Sequence, residues 1–338
     1  MHINSTNLSK KILTWYDNNK RALPWRISQK SSKNQYYRIL SEFMLQQTKV
    51  KTVIPYFKNF VRKIPTLKYL SRSSEKKILK LWEGLGYYRR ARHLHKTSKI
   101  LVKKYKSRIP KKYEEIIKLP GIGEYTANIL LALIYNQPRI GIDGNVKRIF
   151  LRIYNRSLDK PNKKRKISFP KSFSNNRNAD LAEALMEFGA VICKPKSPLC
   201  SICNLKKECN YNKNKVFNLK SEKFSIKVKK YNIYCHLNKK KKQIALTKNK
   251  NLTFLRNFNM PKIELMDFTI NKKKSGWTYL CNYKNNISNI KMNINLFYKF
   301  TKSKPKNFRW YSIEKTKNIF LPSFTKKIIN KINKVYIN

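Results

Sequence analysis

The sequence predicts a mainly α-helical N-terminal region followed by a smaller α+β domain, on three observations. Apolar residues recur at helical spacing from Leu8 to about Tyr211. The texture then turns polar and basic over Asn212 to Lys230, which reads as a linker. From Tyr231 onward, short alternating runs take over. A length of 338 residues suits two or three domains, and 41% hydrophobic with 12% aromatic residues is enough to fill sizeable cores.

In chain order, Ile12, Leu13, Trp15 and Tyr16 form the apolar stripe of a first short helix. Ile39, Phe43, Met44, Thr48 and Val50 to Ile54 continue the pattern in another. Ser74 is placed to cap a helix with Ile78, Leu79, Leu81 and Trp82 inside, stopped by Gly84 and Gly86. Pro110, Pro120 and Pro138 punctuate the helices that follow, and Leu181 to Val191 is a further helical run. Beyond the linker, Ile233 to Leu237 and Asn293 to Phe297 read as strands, and Thr325 to Ile332 as a last helix.

Charge narrows the partners. Lys and Arg number 77 against 17 Asp and Glu, a formal charge of +60, which favours a polyanion and most simply nucleic acid. Lys, Asn, Ile and Tyr are all abundant, however, and an A- and T-rich coding sequence inflates the same residues, so charge permits nucleic acid without identifying it. Six Cys are too sparse for a secreted disulfide scaffold. The segment Met1 to Asn7 lacks a signal layout, and no apolar run reaches the ~18 residues of a membrane span. The expectation is a soluble, intracellular protein.

Three groups of residues point to chemistry. Cys193, Cys200, Cys203 and Cys209 follow the pattern C-x6-C-x2-C-x5-C, the donor set of a metal centre, either zinc or an iron–sulfur cluster. Leu119-Pro120-Gly121-Ile122-Gly123-Glu124-Tyr125 is a tight turn between helices, where Gly121 and Gly123 allow a ligand to approach backbone N–H groups at a helix N-terminus. Asp143 stands just before the helical segment Val146 to Tyr154, a position that also suits a plain helix cap. Glu42 lies in the apolar stretch Ser41 to Thr48, where a carboxylate is costly unless paired or protonated. A protonatable Glu with an ionised Asp is how two carboxylates divide acid and stabiliser roles.

With these residues assembled, the chain resembles the adenine DNA glycosylases, the A/G-mismatch branch of the endonuclease III superfamily. The match runs through Trp15-Tyr16-Asp17, Leu23-Pro24-Trp25-Arg26, Ser41 to Thr48 and Val53 to Phe57. It continues through Gly84 to Arg92, the glycine hairpin, Asp143 to Arg148 and the Cys loop, roughly two-thirds of the chain. The resemblance implies a helix–hairpin–helix glycosylase fold: a six-helix barrel over 27–139, an iron–sulfur helical domain from 1–26 with 140–212, a linker at 213–230 and a Nudix-like domain over 231–338. The Cys spacing matches the family's [4Fe–4S] loop, which settles the choice between zinc and iron, with Lys194, Lys196, Lys206 and Lys207 near phosphates.

The implied reaction is hydrolysis of the N-glycosidic bond of adenine mispaired with 8-oxoguanine or guanine in double-stranded DNA, by a monomer in a bacterial cytoplasm, associated with the nucleoid. The resemblance gives Glu42 the role of acid at adenine N7 and Asp143 that of stabilising the sugar cation, with Tyr125 and Asn145 orienting the site. Arg26, Leu45 and Glu183 match base-pocket positions; Gln47 and Tyr87 match residues that wedge into the duplex. Tyr125 stands where the lyase branch has a nucleophilic Lys, so strand cutting through a Schiff base is not expected. The family's Phe-Ser-His signature for 8-oxoguanine is reduced here to Ile287-Ser288-Asn289, with Ser288 the retained contact, so 8-oxoguanine reading is expected to be weaker. The rivals are an endonuclease III-type lyase on oxidised pyrimidines and an iron–sulfur DNA-binding protein without chemistry.

Overall fold

The computed structural model describes residues 5–154, 176–214, 227–250, 252, 255–266, 276–287, 289–314 and 319–336. The chain divides into two compact units, Met1–Ser221 and Glu222–Asn338.

The described part of the first unit is helical. It runs α1 (Ser5–Asn19), α2 (Asn34–Leu45), α3 (Val50–Lys63), α4 (Leu67–Arg72), α5 (Glu75–Leu81) and α6 (Arg89–Lys104). Then come α7 (Tyr113–Ile116), α8 (Glu124–Tyr135), α9 (Gly144–Tyr154), α10 (Asn178–Val191) and α11 (Asn210–Asn214). Periodicity explains the packing. Tyr36, Ile39, Leu40, Phe43 and Met44 recur at intervals of three and four along α2 and are all buried. That face lets α2 pack against α3, α6 and α8. Leu8, Ile12 and Tyr16 of α1 meet Val146, Ile149 and Phe150 of α9 and Leu181, Leu185 and Phe188 of α10 in a second core. Ser74 caps α5 as expected, its side chain accepting from the Lys77 N–H at 3.2 Å.

One expected helix is in fact two. The periodicity from Ile39 to Ile54 is interrupted after Leu45, and α3 begins only at Val50. The break is a tight turn in which Gln47 takes the left-handed conformation, φ 56°. An apolar pattern that stays in phase across a turn cannot reveal the turn, because periodicity reports faces and not continuity. The linker expected at 213–230 is also trimmed: α11 extends to Asn214, a strand begins at Lys227, and residues 215–226 lie outside the described residues.

The second unit is α+β. Its strands are β1 (Lys227–Asn238), β2 (Gln243–Lys248), β3 (Asn259–Met260), β4 (Lys262–Leu265), β5 (Thr278–Ile287), β6 (Ile290–Phe300) and β7 (Arg309–Ser312), followed by α12 (Ser323–Asn333). The sheet order is β3-β2-β1-β6-β5, with β4 on β1 and β7 on β2. The sheet is mixed, because β1 and β6 pair in parallel, with Tyr231 opposite Ile294 and Ile233 opposite Leu296. Alternation assigns the two faces. Ile233, Cys235, Leu237, Ile294 and Leu296 point into a core closed by Phe324, Ile328 and Ile332 of α12. The other face holds the ring pairs Tyr234–Trp277 and Tyr234–Phe297 and a ladder of Asn282, Asn295 and Asn232 side chains. This mixed sheet backed by a helix is consistent with a Nudix-like domain. Cys235 and Cys281 are strand residues, on β1 and β5.

Candidate active site and DNA-facing loops

Four helices bring the expected catalytic residues together. Glu42 sits one turn from the end of α2 and is buried. Burial raises its carboxyl from the ordinary 4.5 to about 7, and the charges of Glu183 and Asp143 push the same way against Arg38 and a Tyr125 hydrogen bond. Tyr125, in the first turn of α8, reaches the Glu42 carboxyl and donates to Met186 Sδ of α10 at 3.1 Å. Its hydroxyl is held well above the ordinary tyrosine range, by burial first and by Glu42 and Asp143 after it. It is therefore a neutral donor.

Asp143 takes the cap position that its place in the sequence suggests. Its Oδ1 accepts from the N–H groups of Asn145 and Val146, each at 2.8 Å, and so caps α9. Its Oδ2 accepts from Asn145 Nδ2 at 2.8 Å. These bonds fix the carboxylate while it remains close enough to act on Glu42 and Tyr125. Asn145 is fixed in turn, its Oδ1 accepting from Arg148 Nη2 at 2.8 Å. Arg148 donates onward to the carbonyls of Gly189 and Cys193, both at 2.7 Å. A Cβ on Gly189 would stand 2.6 Å from the Asn145 Cβ, so glycine is what lets α10 approach the start of α9.

Of the expected base-pocket residues, Arg26 and Glu183 meet each other at 3.4 Å. Glu183 also accepts from the Tyr16 hydroxyl and from Arg38 Nη1. One turn along α10, buried Glu187 accepts from Arg21 and, at 2.9 Å, from Arg26 Nη2. Tyr16, Arg21, Arg38 and Glu187 were not singled out from the sequence as site residues. Arg38 lies on the side of α2 opposite its apolar face yet is buried, so periodicity gave no signal of the network, although a buried cation requires a partner. That partner lies 145 residues away. Leu45 is half-buried at the end of α2.

The two expected wedge residues are exposed and share an unusual backbone. Gln47 has φ 56° and Tyr87 φ 46°, both left-handed, and Tyr87 is 47% exposed. The hairpin lies beside the Gln47 turn, with Gln46 Nε2 donating to the Gly121 carbonyl at 3.4 Å. Gly121 has φ 81°, and a Cβ there would meet His93 at 2.7 Å and Phe43 at 2.8 Å, so only glycine fits. Gly123 faces open space at the start of α8, which leaves that N-terminus accessible. Ser288 lies outside the described residues.

Cys193, Cys200, Cys203 and Cys209 are thiols outside any disulfide, all partly exposed on the stretch between α10 and α11. Burial lifts Cys203 to about 11, and the other three add to the effect, so the four sense one another's charge. Arg152 Nη1 lies 3.3 Å from Cys193 Sγ and donates to the Lys194 carbonyl, while its Nη2 donates to the Pro195 carbonyl. Among the described residues, no three His, Cys, Asp or Glu side chains stand at metal-holding spacing. Four soft thiol donors on one loop, with an arginine against one sulfur, are nonetheless the chemistry that a four-thiolate cluster takes. No helix among the described residues is long and apolar enough to cross a membrane.

Residues 40–174 match the family model described as HhH-GPD superfamily base excision DNA repair protein. An adenine DNA glycosylase from Buchnera aphidicola subsp. Baizongia pistaciae is 37% identical over 96% of this chain and 96% of its own length. The adenine DNA glycosylase of Homo sapiens is 35% identical over 59% of this chain and 38% of its own. Among solved structures, a thermostable thymine-DNA glycosylase superposes with a TM-score of 0.54 at 25% identity, covering 62% of this chain and 98% of that one. Endonuclease III trapped as a covalent DNA intermediate gives 0.51 at 20% identity, over 64% of this chain and 99% of that one. With one relative matched over nearly its whole length, and the helical fold shared with solved glycosylases, the chain belongs to the adenine DNA glycosylases of the HhH-GPD superfamily of base excision DNA repair proteins.

Proposed function

We propose that this chain hydrolyses the N-glycosidic bond of adenine paired with 8-oxoguanine or guanine and leaves the DNA strand uncut. The observation that carries this reading is the buried Glu42, with its carboxyl raised to about 7, facing Tyr125 and Asp143. A carboxyl half-protonated near neutrality can donate a proton where an ordinary glutamate could not.

Adenine has to leave the stack to be reached. Glu42 then protonates N7 of the flipped base while Tyr125 holds the acid in place. As the bond to the sugar breaks, the positive charge that develops on the sugar faces Asp143, which Asn145 keeps oriented. Water completes the hydrolysis. One carboxylate comes from each of the proposed helical domains, Glu42 from 27–139 and Asp143 from 1–26 with 140–212. Arg26, Leu45 and Glu183 line the base pocket, and Gln47 and Tyr87 fill the duplex from which the base departs. The hairpin glycines, Gly121 and Gly123, hold a phosphate at the start of α8. Cys193, Cys200, Cys203 and Cys209 would hold a [4Fe–4S] cluster, which when bound would cross-link the loop bearing Lys194, Lys196, Lys206 and Lys207. Ser288 contributes a weakened reading of 8-oxoguanine. The enzyme acts as a monomer at the nucleoid.

The test is base-release kinetics on duplexes carrying 8-oxoguanine:A, G:A or thymine glycol. Adenine release from the first two, with strands intact until alkali is added, is expected. Release of the oxidised pyrimidine, or cutting without alkali, would favour the lyase reading. Anaerobically purified protein should contain about four iron per chain, as a cubane on four thiolates requires.

A further inference from the structure

The expected wedges, Gln47 and Tyr87, belong to different turns, one after α2 and one before α6. Both are left-handed, and neither is a glycine. A backbone in that region is retained only where its surroundings over-determine it. Two exposed turns forty residues apart in sequence therefore need a common anchor, and one buried side chain touches both.

Arg90 is 7% exposed. Its Nη1 donates to the carbonyls of Phe43 at 3.1 Å, Met44 at 2.7 Å and Gln46. Its Nη2 donates to Thr48 Oγ1 at 3.1 Å and to the carbonyls of Leu85 at 3.3 Å and Gly86 at 3.2 Å. Gln46 and Thr48 flank Gln47, and Leu85 and Gly86 immediately precede Tyr87. The guanidinium also lies 5.4 Å from the Tyr87 ring centroid and 5.6 Å from that of Trp82. None of these partners is a carboxylate. Burial pushes the guanidinium down to about 10, as suits a cation held by neutral partners rather than by a carboxylate. The carbonyls at the end of α2 form the negative pole of that helix and suit a cation. A lysine would keep the charge but not the planar fork that spans two turns.

We infer that Arg90 is a positioning residue that locks Gln47 and Tyr87 into one rigid element for opening the duplex beside the mispair. The inference rests on the reading, under the proposed function, that these two residues enter the duplex. Arg90 touches no reacting atom; it acts through the turns that it ties together.

The experiment uses the full-length protein and an 8-oxoguanine:A duplex with a fluorescent aminopurine beside the mispair. Unstacking and single-turnover excision are measured for Arg90→Lys, for the double variant Gln47→Ala/Tyr87→Ala, and for the triple combination. Arg90→Lys should reduce both unstacking and excision by about tenfold or more, the scale that misplaced positioning groups produce. Its pH–rate profile should stay that of the parent, because Glu42 is untouched. In the double-variant background, Arg90→Lys should cost nothing further. An equal loss in both backgrounds, or a shifted pH profile, would overturn the inference while leaving the wedges standing. Should the double variant unstack and excise like the parent, the wedge reading itself fails and the inference falls with it. If Arg90→Lys does not fold, Thr48→Val removes one acceptor of the fork, and its smaller loss of unstacking must likewise vanish in the double background.

Discussion

At the scale of single residues, the protonation of Glu42 governs two measurable properties. As the acid, it works only in its protonated form, so excision should be flat below its pKa of about 7 and fall above it. We expect a loss of about tenfold in single-turnover rate between pH 6 and pH 8, following one ionisation. Glu42→Gln should lower excision by ~10²–10⁴-fold while DNA binding persists, because general acid catalysis supplies that much. A variant that releases adenine at the parent rate would remove Glu42 from the mechanism. The same carboxyl weakens the fold. The unfolded chain ionises it near 4.5 and the folded chain only near 7, so folding takes up a proton between these values and stability declines as pH rises through them. The full cost, about 3 kcal/mol, is present above pH 7 and absent below pH 4.5. Thermal unfolding should therefore show Glu42→Gln more stable than the parent at pH 8, with the advantage gone at pH 4.

Helices position these groups through close approaches and buried ion pairs. Gly189→Ala would place its Cβ 2.6 Å from the Asn145 Cβ, and α10 or the start of α9 must give way. Since Asn145 holds Asp143, excision should fall more than DNA affinity does, which single-turnover and binding measurements separate. The Glu187 pair tests the same packing. Its carboxylate neutralises Arg21 and Arg26, and Arg26 is largely buried. Removing one partner of a buried pair leaves an uncompensated charge, so Glu187→Gln should cost about 3 kcal/mol in urea unfolding. A cost near zero would show that Glu183 alone satisfies Arg26. Elements were legible in the sequence where burial repeats with a fixed period, as in α2, α10, β1 and β6. The turn between α2 and α3 was not, since the apolar pattern does not break there.

On the scale of the whole molecule, the formal charge of +60 should dominate binding to undamaged DNA. Affinity for a random duplex should fall by roughly 10³-fold or more between 50 mM and 200 mM salt, as counterions are no longer released into dilute solution. A shallow salt slope would mean that much of the lysine excess faces no phosphate and reflects codon composition. Within this setting, the sequence alone determined the fold class, the glycine hairpin, and where the carboxylates and cysteines fall along the chain. Each of these is a local matter of residue type and spacing. Only the tertiary structure decided what surrounds them. Glu42 is raised by burial and by Asp143, 101 positions away, Arg38 finds Glu183 across the chain, and Arg90 joins two distant turns. Spacing along a chain fixes which groups are available, whereas desolvation and Coulomb interaction depend on distance through space, which only packing sets.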